Sequence, residues 1–344
     1  MVFSKENNFK NSIYIIAELS ANHNNNFDLA VKTIESIAES GADAVKVQTY
    51  TADSLSLDVD NEYFKVKSEG LWKGYRPFDL YKEAAMPYEW QPKLQKVSQN
   101  LGLEFFSSPF DKGGVDFLET LDVPKYKIAS FEITDIPLIE YAASKGKPVI
   151  ISTGVAELED IELAVETCRS AGNDDITLLK CTSNYPASLD DANLLTIPDM
   201  KEKFGVNVGV SDHTMGSIVP IVAVSLGAQV VEKHFILDRN LGGPDAAFSM
   251  EPEDFKRMTQ DVRNAAVTLG QVSYSVSEKD KLRRRSLFVT IDVKAGDKVS
   301  SDNVRSVRPG YGADPKLLHD VIGKTYIHDI RKGTPLNLDM ISES

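Results

Sequence analysis

The sequence predicts a (β/α)₈ TIM barrel followed by a small, mostly-β module. Eight short apolar runs, rich in valine and isoleucine, alternate with amphipathic helical stretches up to about residue 275. Runs that are apolar on both faces are typical of a parallel sheet covered by helices. Almost every run ends in a polar or charged side chain, as the strands of a barrel with a site at its mouth do. A doubly wound open sheet is the alternative.

The predicted strands are, in chain order, 13–18, 43–48, 103–108, 126–130, 148–153, 176–181, 206–212 and 229–235. The pattern of residues 26–41 predicts a helix that is capped by Asn26 at its start and ends at Gly41. Residues 159–172 predict another helix, which stops at Gly172 and buries Ile161, Leu163, Val165 and Cys168.

We predict three segments: a barrel domain at 1–275, a polar and charged linker at 276–285, and the mostly-β module at 286–344. The module contains a faint repeat, 292–304 and 329–341. In both copies an Asp is followed four residues later by a Gly, and then by an aliphatic residue, an Asp and a second aliphatic residue at matching offsets. Repeated turn chemistry of this kind suits a small β module. A Gly- and Pro-rich loop between the copies carries Arg305 and Arg308, which a core does not need.

Composition limits the partners that the chain can have. The net charge of −13 argues against nucleic-acid and membrane partners, because both require a basic surface. The sequence has no long apolar run, and its N-terminal segment is polar, so we expect a cytoplasmic protein. Cys168 and Cys181 are too few and too isolated for a disulfide framework, and we expect two reduced, buried thiols.

Two histidines occupy the ends of two successive strands, with a helix between them. His213 and His234 follow apolar runs, and the ends of neighbouring barrel strands open into one mouth. Imidazoles placed in this way can share a divalent ion such as Mn, Fe, Co or Zn, which would leave positions open for water and substrate. Two hydrogen-bonded histidines without a metal are the alternative.

Lysines at other strand ends bring positive charge to the mouth of an acidic chain. Lys46, Lys127 and Lys180 could attract an anion. Hydroxyl and backbone N–H groups at Ser130, Ser152, Thr153 and Ser211 could bind phosphate or carboxylate oxygens. Glu18 is the general acid/base candidate. His23 is expected to orient a neighbour or contact the substrate rather than ligate metal.

Several motifs together resemble the bacterial sialic-acid synthases, over nearly the whole chain. They are "IAELSANHN", "GADAVKVQTY", "FFSSPFD", "YKIASFEITDIPLI", "PVIISTG", "LLKCTSNYPA", "VGVSDHTMG", "VEKHFIL" and "GGPDAAFSMEP". The terminal module resembles the antifreeze-like (SAF) domain of that family. The resemblance implies a metal-dependent condensation of phosphoenolpyruvate with an open-chain N-acetylated sugar, which gives a nine-carbon 2-keto acid and phosphate.

The resemblance also implies a role for each matching residue. His213 and His234 match the metal ligands, usually for manganese, with Mg²⁺ or Co²⁺ as alternatives. Glu18, Asp245 and Lys127 match catalytic positions: Glu18 the acid/base carboxylate, and Asp245 the aspartate beside the sugar. The positions that match substrate-binding groups are Lys46, Lys127, Ser130, Ser152 and Ser211 for phosphoenolpyruvate, Ser183 and Tyr185 near the substrates, and Arg308. Arg308 matches an arginine that the module lends to the partner subunit, so a domain-swapped homodimer is implied.

Two departures bear on the sugar. Synthases of N-acetylneuraminate tend to have a histidine after the Gly-Pro-Asp run, whereas this chain has Ala246, Ala247 and Phe248. An apolar wall suits a 6-deoxy sugar, because no buried polar group is left unpaired against a methyl group. The resemblance implies that this sugar is 2,4-diacetamido-2,4,6-trideoxy-altrose, with the sugars of N-acetylneuraminate and legionaminate synthases as alternatives. Ser183 stands where related synthases can have an asparagine.

Two other classes of protein remain as rivals. A Schiff-base aldolase could use Lys127, Lys180 or Lys233 and would need no metal, but it leaves both histidines without a role. A sugar-binding or interaction protein would account for the Arg308 loop but not for the polar strand ends.

Overall fold

The computed structural model describes residues 13–65 and 75–342. The chain forms two compact units, one that extends to Gly270 and a second that begins at Gln271. No helix in these two stretches is both long enough and apolar enough to cross a membrane. Both cysteines are free and buried.

The first unit is a closed barrel of eight parallel strands in sequential order, so the predicted barrel is confirmed and the open sheet is wrong. The strands are β1 (Tyr14–Glu18), β2 (Ala44–Thr49), β3 (Glu104–Pro109), β4 (Tyr126–Ile128), β5 (Val149–Ser152), β6 (Ile176–Cys181), β7 (Asn207–Asp212) and β8 (Val230–His234). Each predicted strand is present. Strand β1 closes the barrel by pairing with β2 on one side and β8 on the other, which places Glu18 between Lys46 and His234.

Helices cover the outside of this barrel. They are α1 (Phe27–Glu39), α2 (Ala52–Leu55), α3 (Pro77–Ala84), α4 (Gln91–Asn100), α5 (Lys112–Thr120), α6 (Ile136–Ala143), α7 (Leu158–Ser170), α8 (Thr196–Phe204), α9 (Ile218–Ser225) and α10 (Pro252–Leu269). Asn26 caps α1 as predicted, because its side chain accepts the N–H of Leu29 at 3.1 Å.

Helix α7 forms where it was predicted, but one of its buried positions was wrong. Ile161, Val165 and Cys168 are buried, whereas Leu163 is 49% exposed and Ala164 faces the core in its place. The spacing of Ile161, Ala164, Val165 and Cys168 is the regular stripe of an amphipathic helix, and Leu163 lies outside it.

The second unit is built from short pieces. They are α11 (Glu278–Lys281), β9 (Ser286–Val289), β10 (Val304–Val307), α12 (Leu318–Val321), β11 (Thr325–Tyr326) and β12 (Ile341–Ser342). Strand β9 pairs antiparallel with β10, and β11 pairs antiparallel with β12. The core of this unit is separate from that of the barrel and includes Leu287, Val299, Tyr326 and Leu336.

The faint sequence repeat corresponds to an approximate two-fold symmetry in this unit. Val293 and Ile330, which occupy the same position in the two copies, exchange two backbone hydrogen bonds of 2.9 and 3.0 Å. The N–H of Gly296 donates to the carbonyl of Tyr326 at 2.8 Å, and in the other copy the N–H of Gly333 donates to Val289 at 2.8 Å. Both glycines have positive φ, which the tight turn requires. The repeat is therefore a structural unit used twice.

Candidate active site

The barrel brings most of the predicted site residues together at the C-terminal ends of its strands. Those contributed by the barrel unit are Glu18, Lys46, Lys127, Ser130, Ser152, Ser183, Tyr185, Ser211, His213, His234 and Asp245. Most of these side chains are buried, including charged ones such as Glu18 at 1% and Lys127 at 2% exposure. Burying charges is costly unless they are paired, so the contacts among them decide what the mouth can do.

His213 and His234 lie side by side, with ring centroids 5.2 Å apart. Nδ1 of His213 lies 3.0 Å from the carbonyl oxygen of Thr182. A carbonyl can only accept, so this contact places the proton of a neutral His213 on Nδ1 and leaves the lone pair on Nε2. Nδ1 of His234 is buried and has no hydrogen-bond partner among the described residues, and it lies 3.9 Å from Oδ2 of Asp245.

The pKa values of the two imidazoles are shifted in opposite directions. Burial, together with the positive charge of His213 and nearby lysines, holds the pKa of His234 well below its usual value, so this ring is neutral. Burial lowers the pKa of His213, but Cys181, the Thr182 carbonyl and Glu232 outweigh it and raise the pKa. His213 therefore holds a proton more readily than His234, which is neutral and has a buried nitrogen without a hydrogen-bond partner among the described residues.

This pair fits a divalent metal ion. Within residues 13–65 and 75–342, no group of three or more His, Cys, Asp and Glu side chains converges as a metal site, so the described chain offers two imidazoles. Imidazole nitrogen is a ligand for Mn, Co and Zn, and two protein ligands leave room for water and substrate.

Four charged side chains form a network beneath the histidines. Lys46 lies 2.6 Å from Oε2 of Glu18 and 3.7 Å from Oε2 of Glu232, and Lys127 lies 3.9 Å from Oε1 of Glu232. Burial raises the pKa of Glu18 even though Lys46 opposes it. Burial also raises the pKa of Glu232, but Lys127 and Lys46 outweigh burial and leave it below its usual value. Glu18 is therefore the carboxylate poised to take up a proton.

Lys127 bonds one of the hydroxyl groups that were expected at the anion site, and two others lie at or just beyond nearby strand ends. Its ammonium donates to Oγ of Ser152 at 2.6 Å and to the carbonyl of Ile128 at 3.0 Å. Ser211 donates to Glu232 at 3.0 Å, and the N–H of Gly154 donates to Ser130 at 3.2 Å. Burial lowers the pKa of Lys127, and Glu232 opposes that shift without cancelling it.

Aromatic rings flank the two histidines. The ring of Tyr185 lies 4.4 Å from that of His213, and Phe248 lies 4.9 Å from His234 and 5.0 Å from Tyr185. Phe248 follows Asp245 in the loop after β8, so of the three apolar residues noted in the sequence it is Phe248 that packs beside the histidines, whereas Ala247 is exposed.

Cys181 and Glu132, besides Glu232, are site residues that were not assigned a role from the sequence. Sγ of Cys181, which was expected to be a reduced, buried thiol, lies 3.8 Å from both Ser183 Oγ and His213 Nδ1. Burial raises its pKa, but His213 outweighs burial and lowers it to about 7. Glu132 follows β4, and burial raises its pKa to about 7. Neither stands in a recognisable motif, and only the positions of β4 and β6 could have indicated them.

Other predicted residues lie away from the histidines. Lys233 is 2.5 Å from Asp212 and donates to the carbonyl of Thr214 at 2.6 Å, on the outer side of β8. Lys180 donates to the carbonyl of Cys181 at 2.9 Å. His23 packs edge-on against Trp90, with centroids 5.7 Å apart, and its Nδ1 accepts the N–H of Asn25. Of the three lysines of the aldolase alternative, Lys127 is the one that lines the mouth.

Arg308 belongs to the second unit. It is exposed, and its guanidinium has no hydrogen bond or ion pair with any described residue. The loop that carries it is held by Ser286, whose Oγ donates to the carbonyl of Pro309 at 2.7 Å and accepts the N–H of Gly312 at 2.9 Å. Lys281, Arg284 and Arg285 line the same cleft. A fixed loop therefore presents an unpaired arginine among other cations.

Comparisons with known proteins agree with this geometry. The NeuB family model matches residues 33–274, and the SAF domain model matches residues 284–342. The chain is 43% identical to the pseudaminic acid synthase of Campylobacter jejuni over 332 residues, which cover 96% of both chains. It is 37% identical to the N,N'-diacetyllegionaminic acid synthase of Legionella pneumophila over 331 residues, which cover 94% of this chain and 93% of the relative.

A solved structure has the same fold. The N-acetylneuraminic acid (sialic acid) synthetase of Leptospira borgpetersenii, in complex with citrate, aligns with a TM-score of 0.71 at 32% identity. The alignment covers 79% of this chain and 90% of that chain.

Proposed function

Because the chain belongs to the NeuB family, we propose that it acts as a pseudaminic acid synthase. It would condense phosphoenolpyruvate with 2,4-diacetamido-2,4,6-trideoxy-altrose to give the nine-carbon acid and phosphate. The observation that supports this most directly is the mouth of the barrel, where an anion site around Lys127 adjoins two imidazoles with an unpartnered nitrogen. The higher identity to the Campylobacter synthase than to the Legionella enzyme favours this sugar.

The phosphoenolpyruvate site would use the cations and hydroxyls at the ends of β2, β4, β5 and β7. Lys127 and Ser152 are already hydrogen-bonded, and Lys46 lies between two carboxylates. A phosphate or carboxylate bound here gives Lys127 the negative partner that its burial calls for, and electrostatic stabilisation is strong in such a water-poor site. Ser130 and Ser211 would add hydrogen bonds to the anion.

The reaction forms a carbon–carbon bond and breaks a carbon–oxygen bond. The methylene carbon of phosphoenolpyruvate attacks the sugar aldehyde, water adds to the resulting cationic carbon, and the tetrahedral intermediate expels phosphate. Glu18, whose pKa is raised by burial, would take the proton from the attacking water. Asp245, beside His234, would contact the sugar. Lys127 would keep the phosphate dianion bound as it leaves.

His213 and His234 would hold a divalent ion, most simply Mn²⁺, with Mg²⁺ or Co²⁺ as alternatives. Such an ion supplies a Lewis acid for the sugar aldehyde when bound. The support is chemical: one neutral imidazole, with a nitrogen that has no partner among the described residues, stands beside a second imidazole.

The test is phosphate release from phosphoenolpyruvate, measured after chelation and again after adding back Mn²⁺. We expect release only with metal and with the 6-deoxy altrose derivative. Equal release with N-acetylmannosamine would keep the reaction but contradict the role of the Phe248 wall. Full activity in excess chelator would contradict the requirement for a metal and would favour the Schiff-base mechanism. Borohydride would then trap an imine on Lys127.

We also propose that the enzyme is a cytoplasmic, domain-swapped homodimer in which Arg308 serves the partner's site. Lysines and arginines outnumber acidic residues in 271–344, although the whole chain carries −13, so this unit complements an acidic barrel. Two inactive variants, Arg308→Ala and Glu18→Gln, can be unfolded and refolded together. If Arg308 acts across subunits, mixed dimers regain up to one intact site in two. If Arg308 acts within its own chain, mixing restores nothing.

A further inference from the structure

Ser20 has an unusual backbone conformation. Its φ is +48°, in the left-handed region that side chains other than glycine, asparagine and aspartate avoid. The other positive-φ positions of residues 13–65 and 75–342 are glycines, Asn24, Asn25, Asp122 and Asn193. Ser20 is thus the exception among the described residues. Strain of this kind persists at sites where the surroundings enforce it and is concentrated at functional positions.

The surroundings that enforce it are a seam between two loops, the one after β1 and the one after β8. Nδ2 of Asn24 donates to the carbonyl of Leu241 at 3.0 Å. Nδ2 of Asn22 donates to Oγ of Ser249 at 2.8 Å, and Ser249 in turn donates to the carbonyl of Asp245 at 2.6 Å. Hydrogen bonds through Ser249 therefore hold the backbone of Asp245 against the loop after β1. They do not determine where the carboxylate of Asp245 points.

The Ser20 hydroxyl orients that carboxylate. Its Oγ donates to Oδ2 of Asp245, and the N–H of Ala21 approaches the same oxygen at 3.4 Å. Oγ of Ser20 also accepts a hydrogen bond from Nε2 of Gln48 at 2.9 Å. The same Gln48 nitrogen lies 3.0 Å from Oε1 of Glu18. Two neutral side chains therefore connect the two carboxylates to which we assign catalytic roles.

We propose that Ser20 is a positioning residue: its hydroxyl fixes the carboxylate of Asp245 beside His234 and joins it, through Gln48, to Glu18. This inference rests on the proposed function, in which Asp245 contacts the sugar. A glycine would fit the backbone at this position without strain, so the serine is explained by its hydroxyl. The strained backbone is the conformation that aims this hydroxyl at Asp245.

Two variants separate the hydroxyl from the strain. Ser20→Ala removes the hydroxyl and keeps a side chain at positive φ, whereas Ser20→Gly removes the hydroxyl and relieves the strain. We expect both to lower kcat/KM for the sugar by about 10- to 100-fold, the effect of losing a hydrogen bond to a charged group. The KM for phosphoenolpyruvate should stay near the wild-type value. The glycine variant should melt about 2–4 °C above the alanine variant.

Activity and stability therefore move independently if the proposal is right. Wild-type kcat/KM for the sugar in either variant, or activity that follows the melting temperature, would overturn it. A wild-type enzyme that releases no phosphate with any of the sugars would instead refute the proposed function. Crystal structures of the wild type and Ser20→Ala then decide the positioning role alone: a displaced Asp245 carboxylate supports it, and an unmoved one overturns it.

Discussion

The two ends of the barrel each bury a lysine from the β4 region, and the two lysines have different surroundings. At the N-terminal end, Lys125 contacts Glu104 and donates to Oη of Tyr14 at 2.9 Å, and Tyr14 donates to Glu104 at 2.5 Å. Each of these three groups contacts the other two. At the C-terminal end, Lys127 lies 3.9 Å from Glu232 and bonds a serine and a carbonyl.

The two lysines differ in how completely the polar groups around them are paired. Tyr14, Glu104 and Lys125 pair with one another and combine one positive and one negative charge, which is what a structural ion pair requires. Around Lys127 the polar groups include Nδ1 of His234, which has no partner among the described residues, and a glutamate, Glu18, whose pKa burial has raised. Buried polar groups that the protein leaves incompletely paired are the ones available to a ligand.

The largest effect should come from a matched pair of glutamate variants. Glu18→Gln removes the proposed base and should lower kcat by about 10²- to 10⁴-fold. Glu104→Gln makes the same chemical change at the other end and should leave kcat close to the wild-type value. Steady-state phosphate release measures both, and circular dichroism checks the fold. Comparable losses in the two variants would mean that the ends of the barrel do not differ as argued.

The matched lysines sharpen the comparison. Lys127→Met should lower kcat/KM for phosphoenolpyruvate by about 10²- to 10³-fold, since it removes a cation from the anion site. Lys125→Met should leave kcat/KM nearly unchanged but lower the free energy of unfolding by about 1–3 kcal/mol, because Glu104 and Tyr14 lose a partner. Urea unfolding and phosphate release together measure the two effects. A loss of activity in folded Lys125→Met would contradict a purely structural role.

Much of the fold could be predicted from local pattern. The eight strands are continuous apolar runs, and runs of this kind are a property of adjacent residues. The proximity of His213 and His234 was also predictable, because the ends of neighbouring strands in a barrel lie together. Leu163 was misassigned because it lies outside the regular stripe of α7, a misjudgement of helical phase.

Contacts between distant positions could not be predicted. Tyr14, Glu104 and Lys125 come from three separate parts of the chain, at the end of the barrel opposite to the strand ends that carry the predicted site. Ser20 and Asp245 are 225 positions apart, and the backbone conformation that joins them is not encoded in a motif. Such pairings follow from closure of the barrel and not from any local stretch.

The smallest expected effect is a pH-dependent change in stability at the cluster of Tyr14, Glu104 and Lys125. Burial raises the pKa of Glu104, but the hydrogen bond and charge of Lys125 outweigh burial and lower it. A carboxylate with a lowered pKa in the folded state stabilises the protein above its unfolded pKa, and this contribution is lost as the pH falls through the folded value. Glu104→Gln should therefore be less stable than the wild type at pH 7, and the two should converge below about pH 4.

The control is to remove Lys125, the charged partner of Glu104. In a Lys125→Met background, Glu104 has lost the charge that outweighs burial, so the difference in stability between this variant and its Glu104→Gln form should no longer narrow as the pH falls. Urea midpoints measured between pH 3.5 and 7 for the four proteins of this cycle give the coupling. A gap between wild type and Glu104→Gln that does not narrow on acidification would mean that Lys125 does not act on Glu104 electrostatically. The N-terminal end would then be held by packing, and its contrast with the Lys127 end would have to rest on activity alone.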